Sequence, residues 1–265
     1  MKEGYWVVRT YTSGPVGDKT KFWVQGARPD SRSRRKEKSE IRKQEQNEYS
    51  SMKAAARVLN LNFREGDLLL GLDYSEEGMK KLEEKIPEGL EEEERRDALR
   101  EAAAKELTNC IRRVQRAMDK EGVELRYHLG VTSDMDGDTG ELVRVHHHII
   151  VNREAREAFL KKWALGGVDW SPLSAQADYT AIAEYILRQV RRIKDAKKYT
   201  SSRNLIRPKP RDRIVISDAE LRAPKGAVLL LRSEYRPGRP QYIRYILPVE
   251  KQGSTHKRAP KGGGL

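Results

Sequence analysis

At 265 residues the chain is long enough to bury a real core, but only 37% of it is hydrophobic and 35% is charged, so the core is confined to part of the chain. Lys and Arg outnumber Asp and Glu by 53 to 40, a formal charge of +13 that calls for a polyanionic partner, nucleic acid first. No apolar run approaches the ~20 residues of a spanning helix, the opening MKEGYWVVRTYTSG has no signal-peptide core, and the single Cys110 has no partner within the chain, so a reducing cytoplasm and no membrane are expected.

In chain order, residues 5–26 alternate as strands do (Tyr5-Trp6-Val7-Val8-Arg9, then Lys21-Phe22-Trp23-Val24) about a Gly/Pro turn, which predicts a small hairpin. Residues 27–46 carry eight Lys/Arg against four Asp/Glu and read either as a solvated helix or linker or as a phosphate-contacting arm. A more helical stretch follows through Met52, Ala56, Val58 and Leu59. Asp67–Tyr74 (DLLLGLDY) is a nearly continuous apolar run and reads as a buried central strand. Ser75 followed by Glu76 and Glu77 starts a helix that Pro87 and Gly89 break. A long helix is predicted from about Glu91 to Lys120, with Leu99, Ala103, Leu107, Cys110, Ile111, Val114 and Met118 as its stripe and Gly122 as its end.

Val123–Thr132 alternates again, a turn-rich SDMDGDTGE follows, and Val143–Asn152 (VRVHHHIIVN) returns as the second strand of an antiparallel hairpin. Helices are predicted around Ala155–Trp163 and, after the Gly166-Gly167 loop, from about Ser174 to Ile193. Residues 195–213 are basic and Pro-interrupted, Gly226–Arg232 and Gln241–Leu247 read as strands, and Lys251–Leu265 reads as a disordered tail. The expected architecture is α+β, an antiparallel sheet with helices on one face and small N- and C-terminal β extensions. The expected divisions are 1–59 (hairpin and basic arm), 60–200 (core), 201–250 (C-terminal β extension) and 251–265 (tail).

Three of the chain's five histidines sit in a row on one strand. Side chains alternate along a strand, so His146 and His148 share a face with Arg144, while Val143, Val145, His147, Ile149 and Val151 share the core face. Two imidazoles side by side on an open face suit a shared metal ion held through neutral ring nitrogens; the alternative is a pair of strand histidines satisfied by hydrogen bonds. On a basic protein such a metal points to phosphodiester chemistry. On the predicted helix Asp178–Ile193, Tyr185 lies at the edge of the stripe Ile182, Ile186, Val190 and Ile193, with Arg188 and Arg192 along the same edge. A phenol there can act as a covalent nucleophile while guanidiniums hold the phosphate; taken alone, Tyr185 reads as an ordinary boundary aromatic with its hydroxyl in water. Tyr179 and Tyr199 are the rival nucleophiles.

An apolar strand, a His-x-His strand and a helical Tyr followed three residues on by a basic residue occur in this order. In this the chain resembles the HUH endonucleases, and more closely the rolling-circle replication initiators (Rep proteins) of plasmids and bacteriophages. The motifs are Leu68–Tyr74, Val145–Ile150 and Tyr185-Ile186-Leu187-Arg188, with Arg188 where the family carries Lys; the likeness covers roughly residues 60–200. The resemblance implies a ferredoxin-like (RRM-like) sheet, one Mg²⁺ or Mn²⁺ and sequence-specific nicking of one DNA strand. The products would be a 5′-phosphotyrosine and a free 3′-hydroxyl that starts replication in a bacterial host cytoplasm. It also implies a third metal ligand near the end of the preceding strand. Asp134 is the first choice, His128 the rival if hairpin register sets it opposite His148, and Glu141 the third. The turn Asp134-x-Asp136-Gly137-Asp138 has its glycine one place early for a calcium loop.

The implied partner is single-stranded or hairpin DNA at a replication origin, with phosphate contacts from the 27–46 arm and from Arg144, Arg191, Arg192, Lys197, Lys198 and Arg203. No GxxxxGK[ST] occurs, so a host helicase and polymerase would unwind and copy the duplex. Two alternatives stand beside the nickase: a relaxase or transposase of the same superfamily, and a non-catalytic single-stranded nucleic-acid-binding protein.

Overall fold

The computed structural model describes residues 4–25, 40–190 and 199–248, without the side chains of residues 25 and 40–48. The 27–39 part of the basic arm, Arg191, Arg192, Lys197, Lys198 and the 251–265 tail lie outside the described residues. The fold is α+β, with two antiparallel sheets and five helices among the described residues. It divides into two compact units, Met1–Gln44 with Arg207–Leu265, and Glu45–Ile206. The predicted N-terminal hairpin and C-terminal strands thus belong to one unit.

That terminal unit is a five-stranded sheet in the order β7-β1-β2-β9-β8. The strands are β1 (Gly4–Ser13), β2 (Val16–Gln25), β7 (Arg211–Val215), β8 (Val228–Arg232) and β9 (Gln241–Ile246). Strands β1 and β2 form the expected hairpin about Gly14, whose φ of 59° is one that glycine adopts without strain. β7 was not anticipated; its residues sit in the basic, Pro-interrupted stretch and are recruited by backbone pairing to β1 rather than by an apolar pattern. Lys21 is buried here. Its Nζ pairs with Asp218, donates to the Ala219 carbonyl at 2.8 Å and lies over the rings of Tyr235 and Trp6 at 4.7 and 5.1 Å, which together compensate the lost hydration of a buried cation.

The second unit holds α1 (Glu40–Asn62), β3 (Leu68–Leu72), α2 (Glu76–Glu83), α3 (Glu92–Lys120), β4 (Tyr127–Met135), β5 (Leu142–Val151), α4 (Arg156–Lys162), β6 (Val168–Pro172) and α5 (Thr180–Arg188). The sheet order is β4-β5-β3-β6. β3 is interior, as its apolar run requires: Leu68, Leu70 and Leu72 point into the core under α3, whose predicted stripe is buried with them. Ser75 caps α2, its Oγ accepting from the Gly78 amide at 3.0 Å. Gly122, at φ 69°, follows the end of α3.

The helices do not keep to one face. Leu70, Val145, Ile149 and Val151 face α2, α3 and α4. Leu129, Val131 and Ile150, on the opposite pleat, pack under α1 and α5. The face carrying His146 and His148 is therefore partly roofed by helices, because α1 and α5 have apolar stripes of their own to bury. β6 was missed in sequence: five residues after a Gly-Gly loop, four of them exposed, give little period-2 signal.

Candidate active site on the histidine strand

Strand register places the site. Ser133 on β4 faces His146 on β5, and Val131 faces His148. On the other side His148 pairs with Gly71 of β3, and Gly71 with Asp169 of β6. Directly paired residues of antiparallel strands share a face, so His148 and Asp169 flank a glycine that leaves the floor between them bare. Asp73, two residues beyond Gly71, continues that face beside His146. The Asp73 carboxyl is raised above its usual range, first by burial and partly by its hydrogen bond with Asp169.

The two imidazoles come together as predicted, ring centroids 5.1 Å apart and nearly perpendicular. His146 Nδ1 lies 3.0 Å from the Arg144 carbonyl and donates to it. His146 Nε2 lies 3.3 Å from Gln189 Oε1. His148 Nδ1 is buried with no hydrogen-bond partner among the described residues, and a divalent cation held by this imidazole pair and the Gln189 amide oxygen would satisfy it. Burial, and then the neighbouring His146, push the His148 imidazole down to about 4, so it is neutral and its lone pair is available. His147 points the other way. It is wholly buried, bonded to Tyr74 Oη and Thr132 Oγ1 at 2.9 Å each, and burial pushes it down to about 3.

Tyr185 reaches the pair. Its ring lies 5.9 Å from that of His148, nearly edge-on. α5 is set by α1: Asn60 Oδ1 accepts from the Tyr179 amide at 2.8 Å, and Asn60 Nδ2 donates to Asp178 Oδ1, which also accepts from the Thr180 amide and hydroxyl. Ala183, Ile186 and Val190 then anchor the helix against the sheet, leaving Tyr185 at the margin of the core. The turn between β4 and β5 closes over it: a Cβ on Gly137 would come within 2.9 Å of Gln189 Nε2 and 3.0 Å of the Tyr185 ring. Asp136 organises that turn, its Oδ1 accepting from the Asp138 and Thr139 amides and the Thr139 hydroxyl. Those bonds hold its carboxyl below the usual range, so it faces the histidines as an anion. Burial, then Asp138 and Asp136, raise the Tyr185 phenol above its ordinary value.

The other candidates fall elsewhere. Asp134, the expected third ligand, lies on the α3 side of β4, where Arg96 and Arg100 occupy both its oxygens at 2.8–3.2 Å. An irregularity between Ser133 and Met135 turns it away from the histidines. His128 faces Ile150, while Val131 faces His148; the bulge that puts Leu129 at φ 52° lies between the two pairs. Its Nδ1 and Nε2 are bonded to Ser201 Oγ and the Ala55 carbonyl, and its ring packs edge-on to Tyr199. Glu141 is exposed at the turn. Tyr179 is buried and donates to the Ser174 carbonyl. Arg188 is exposed and ion-paired to Glu184 at 2.8 Å rather than turned to Tyr185. Arg144 donates to the Tyr74 carbonyl, and Arg203 is exposed.

Sequence reasoning missed Gln189, Asp73 and Asp169, and met Asp136 only as part of a calcium-loop-like turn. Gln189 could have been found: four residues after Tyr185 it is one helical turn on, and hence beside it. No family model, curated protein or solved structure matches the chain.

Proposed function

We propose that the chain is a metal-dependent, site-specific single-strand DNA nickase and strand transferase on an HUH-type, ferredoxin-like core, and that it starts rolling-circle replication. The observation that carries this reading is the convergence of Tyr185 and Gln189, from one helix, on His146 and His148 of one strand. His146, His148 and Gln189 Oε1 would hold Mg²⁺ or Mn²⁺, with the Asp136 charge nearby. When bound, the ion supplies charge neutralisation at the scissile phosphoryl group. Tyr185 Oη forms the bond to phosphorus, the P–O3′ bond breaks, and the phenolic proton ends on the 3′-oxygen. The +13 chain holds the polyanionic strand. A host helicase and polymerase, and a cytoplasmic bacterial setting, belong to the same proposal.

Two features favour the non-catalytic reading, a protein that binds single strands without cutting: the raised Tyr185 phenol, and Arg188 held by Glu184. A relaxase or transposase would share the chemistry and differ in the DNA read. The deciding experiment incubates the protein with labelled single-stranded DNA from its own replicon, with Mn²⁺ or with EDTA, and resolves adducts on a denaturing gel. A metal-dependent adduct that maps to Tyr185 and is lost in Tyr185→Phe is the expected result. DNA binding without any adduct would leave only the binding module.

A further inference from the structure

The long helix α3 carries a charge pattern that neither its packing nor its dipole explains. At about 100° per residue, Lys105, Asn109, Arg112, Arg113, Arg116 and Lys120 fall within an arc of about 100°, and all of them are exposed. The buried stripe of Leu107, Cys110, Val114 and Met118 lies on the other side of the helix. Two carboxylates border the arc and both are engaged: Glu106 accepts from Lys85 at 2.8 Å, and Asp119 from Gln115 Nε2 at 2.6 Å. Lys105, Arg112, Arg116 and Lys120 have no ion-pair partner among the described residues. Arg113 Nη2 donates to the Lys162 carbonyl at 3.5 Å, which sets the basic last turn of α4, Lys161 and Lys162, beside this arc.

Cations favour a helix C-terminus, but that effect fades beyond the last turn and so covers Lys120 alone. Arg112, Arg116 and Lys120 stand four residues apart, a spacing at which like charges oppose the helix. A polyanion laid along the arc relieves that repulsion. From Lys105 to Lys120 the helix rises ~22 Å, the axial length of about six base pairs. Single-strand sites add aromatic side chains on which bases stack. This face has none: α3 contains no Phe, Trp or Tyr, and Phe159 and Trp163 at α4 are buried. Cations without a stacking platform suit the phosphates of a duplex, whose bases stay paired. The arc is also apart from the histidines, because α3 packs on the pleat of Leu70, Val145 and Ile149, opposite that of His146 and His148.

We propose that the Lys105–Lys120 face of α3 is a second nucleic-acid site, which holds the phosphate backbone of duplex DNA without reading its sequence. DNA as the polymer rests on the nickase reading, but the face uses no residue of the nickase site. The strand to be cut lies on the histidine side of the sheet and the flanking duplex on the α3 side.

Fluorescence anisotropy of the full chain tests this with a labelled duplex of about 20 base pairs and a single strand of the same length, between about 50 and 300 mM salt. Arg112→Gln, Arg113→Gln and Arg116→Gln together, checked for native circular dichroism, should flatten the duplex salt slope by about 2–3 and leave the single-strand slope unchanged. Arg116→Gln alone should remove about 0.9 of the duplex slope. A control triple, Lys81→Gln, Arg232→Gln and Arg236→Gln, removes the same charge from cations already paired with Glu77, Glu220 and Glu234, and should change neither slope. A wild type that does not bind duplex, or an unchanged duplex slope in the α3 variants, would overturn the proposal. So would equal flattening by the control, which reads bulk charge, or equal flattening for the single strand. Adduct formation on single strands reports on the nickase separately: its absence would sink that reading and leave the α3 result standing.

Discussion

Gln189 is buried, its amide nitrogen has no hydrogen-bond partner among the described residues, and its oxygen lies 3.3 Å from His146 Nε2. A glutamine left in that state costs stability unless something at the site repays it. Replacing it with leucine should therefore weaken Mn²⁺ binding by about tenfold or more while leaving the melting temperature of the metal-free protein unchanged or higher. Isothermal titration calorimetry reads the first and calorimetric melting the second; an unchanged affinity would remove Gln189 from the ligand set. Cys110 shows burial acting alone. Its thiol is pushed up to about 11 by desolvation within the core under α3. The unfolded chain releases that proton at lower pH than the folded one, so this contribution to stability is present below the unfolded value, about 8.5, and is lost as the pH rises towards 11. At pH 8 iodoacetamide should leave the native thiol untouched and alkylate it rapidly once guanidinium unfolds the protein.

At the scale of elements, the β4–β5 turn couples α3 to the site. Asp134, at its start, is clamped by Arg96 and Arg100; two residues on, Asp136 folds the turn, and Gly137 lies against Tyr185 and Gln189. The carboxylate is nearly buried and the two guanidiniums about three-quarters so, and removing one partner of such a cluster strands the other charges. Asp134→Ala should lower stability by about 2 kcal/mol, discounted for the remaining exposure of the arginines, and urea unfolding would show it as a lower midpoint with an unchanged slope. If Asp134 were instead the third metal ligand, the substitution would abolish Mn²⁺ binding.

Across the whole molecule, charge is the dominant quantity. If the chain binds single-stranded DNA as proposed, its net charge of +13 makes that binding a counterion-release process, so affinity should fall linearly on logarithmic axes as salt rises. Neutralising Lys197, Lys198 and Arg203 together removes three cations and should flatten the single-strand slope by about two. An unchanged slope, measured by fluorescence anisotropy between about 50 and 300 mM salt, would place the contacts elsewhere.

What the sequence determined by itself is what local pattern encodes. The β3 run, the α3 stripe, the Ser75 cap, both hairpins and the alternation that sets His146 and His148 apart from His147 were all legible, because each depends on a period of 2 or 3.6 within one segment. The tertiary structure alone decided the rest. Pairing of β1 with β7 and of β2 with β9 joins segments roughly 200 residues apart, which no local pattern records. The roof of α1 and α5 over the histidine face follows from which apolar stripes find each other. Two local irregularities of β4 sent His128 under α1 and Asp134 to α3, and in their place the fold brought Gln189 and Asp136 to the histidines. Register and long-range pairing are collective properties of the packed sheet. A residue's type can therefore nominate it for chemistry, but only the packed sheet decides whether it arrives.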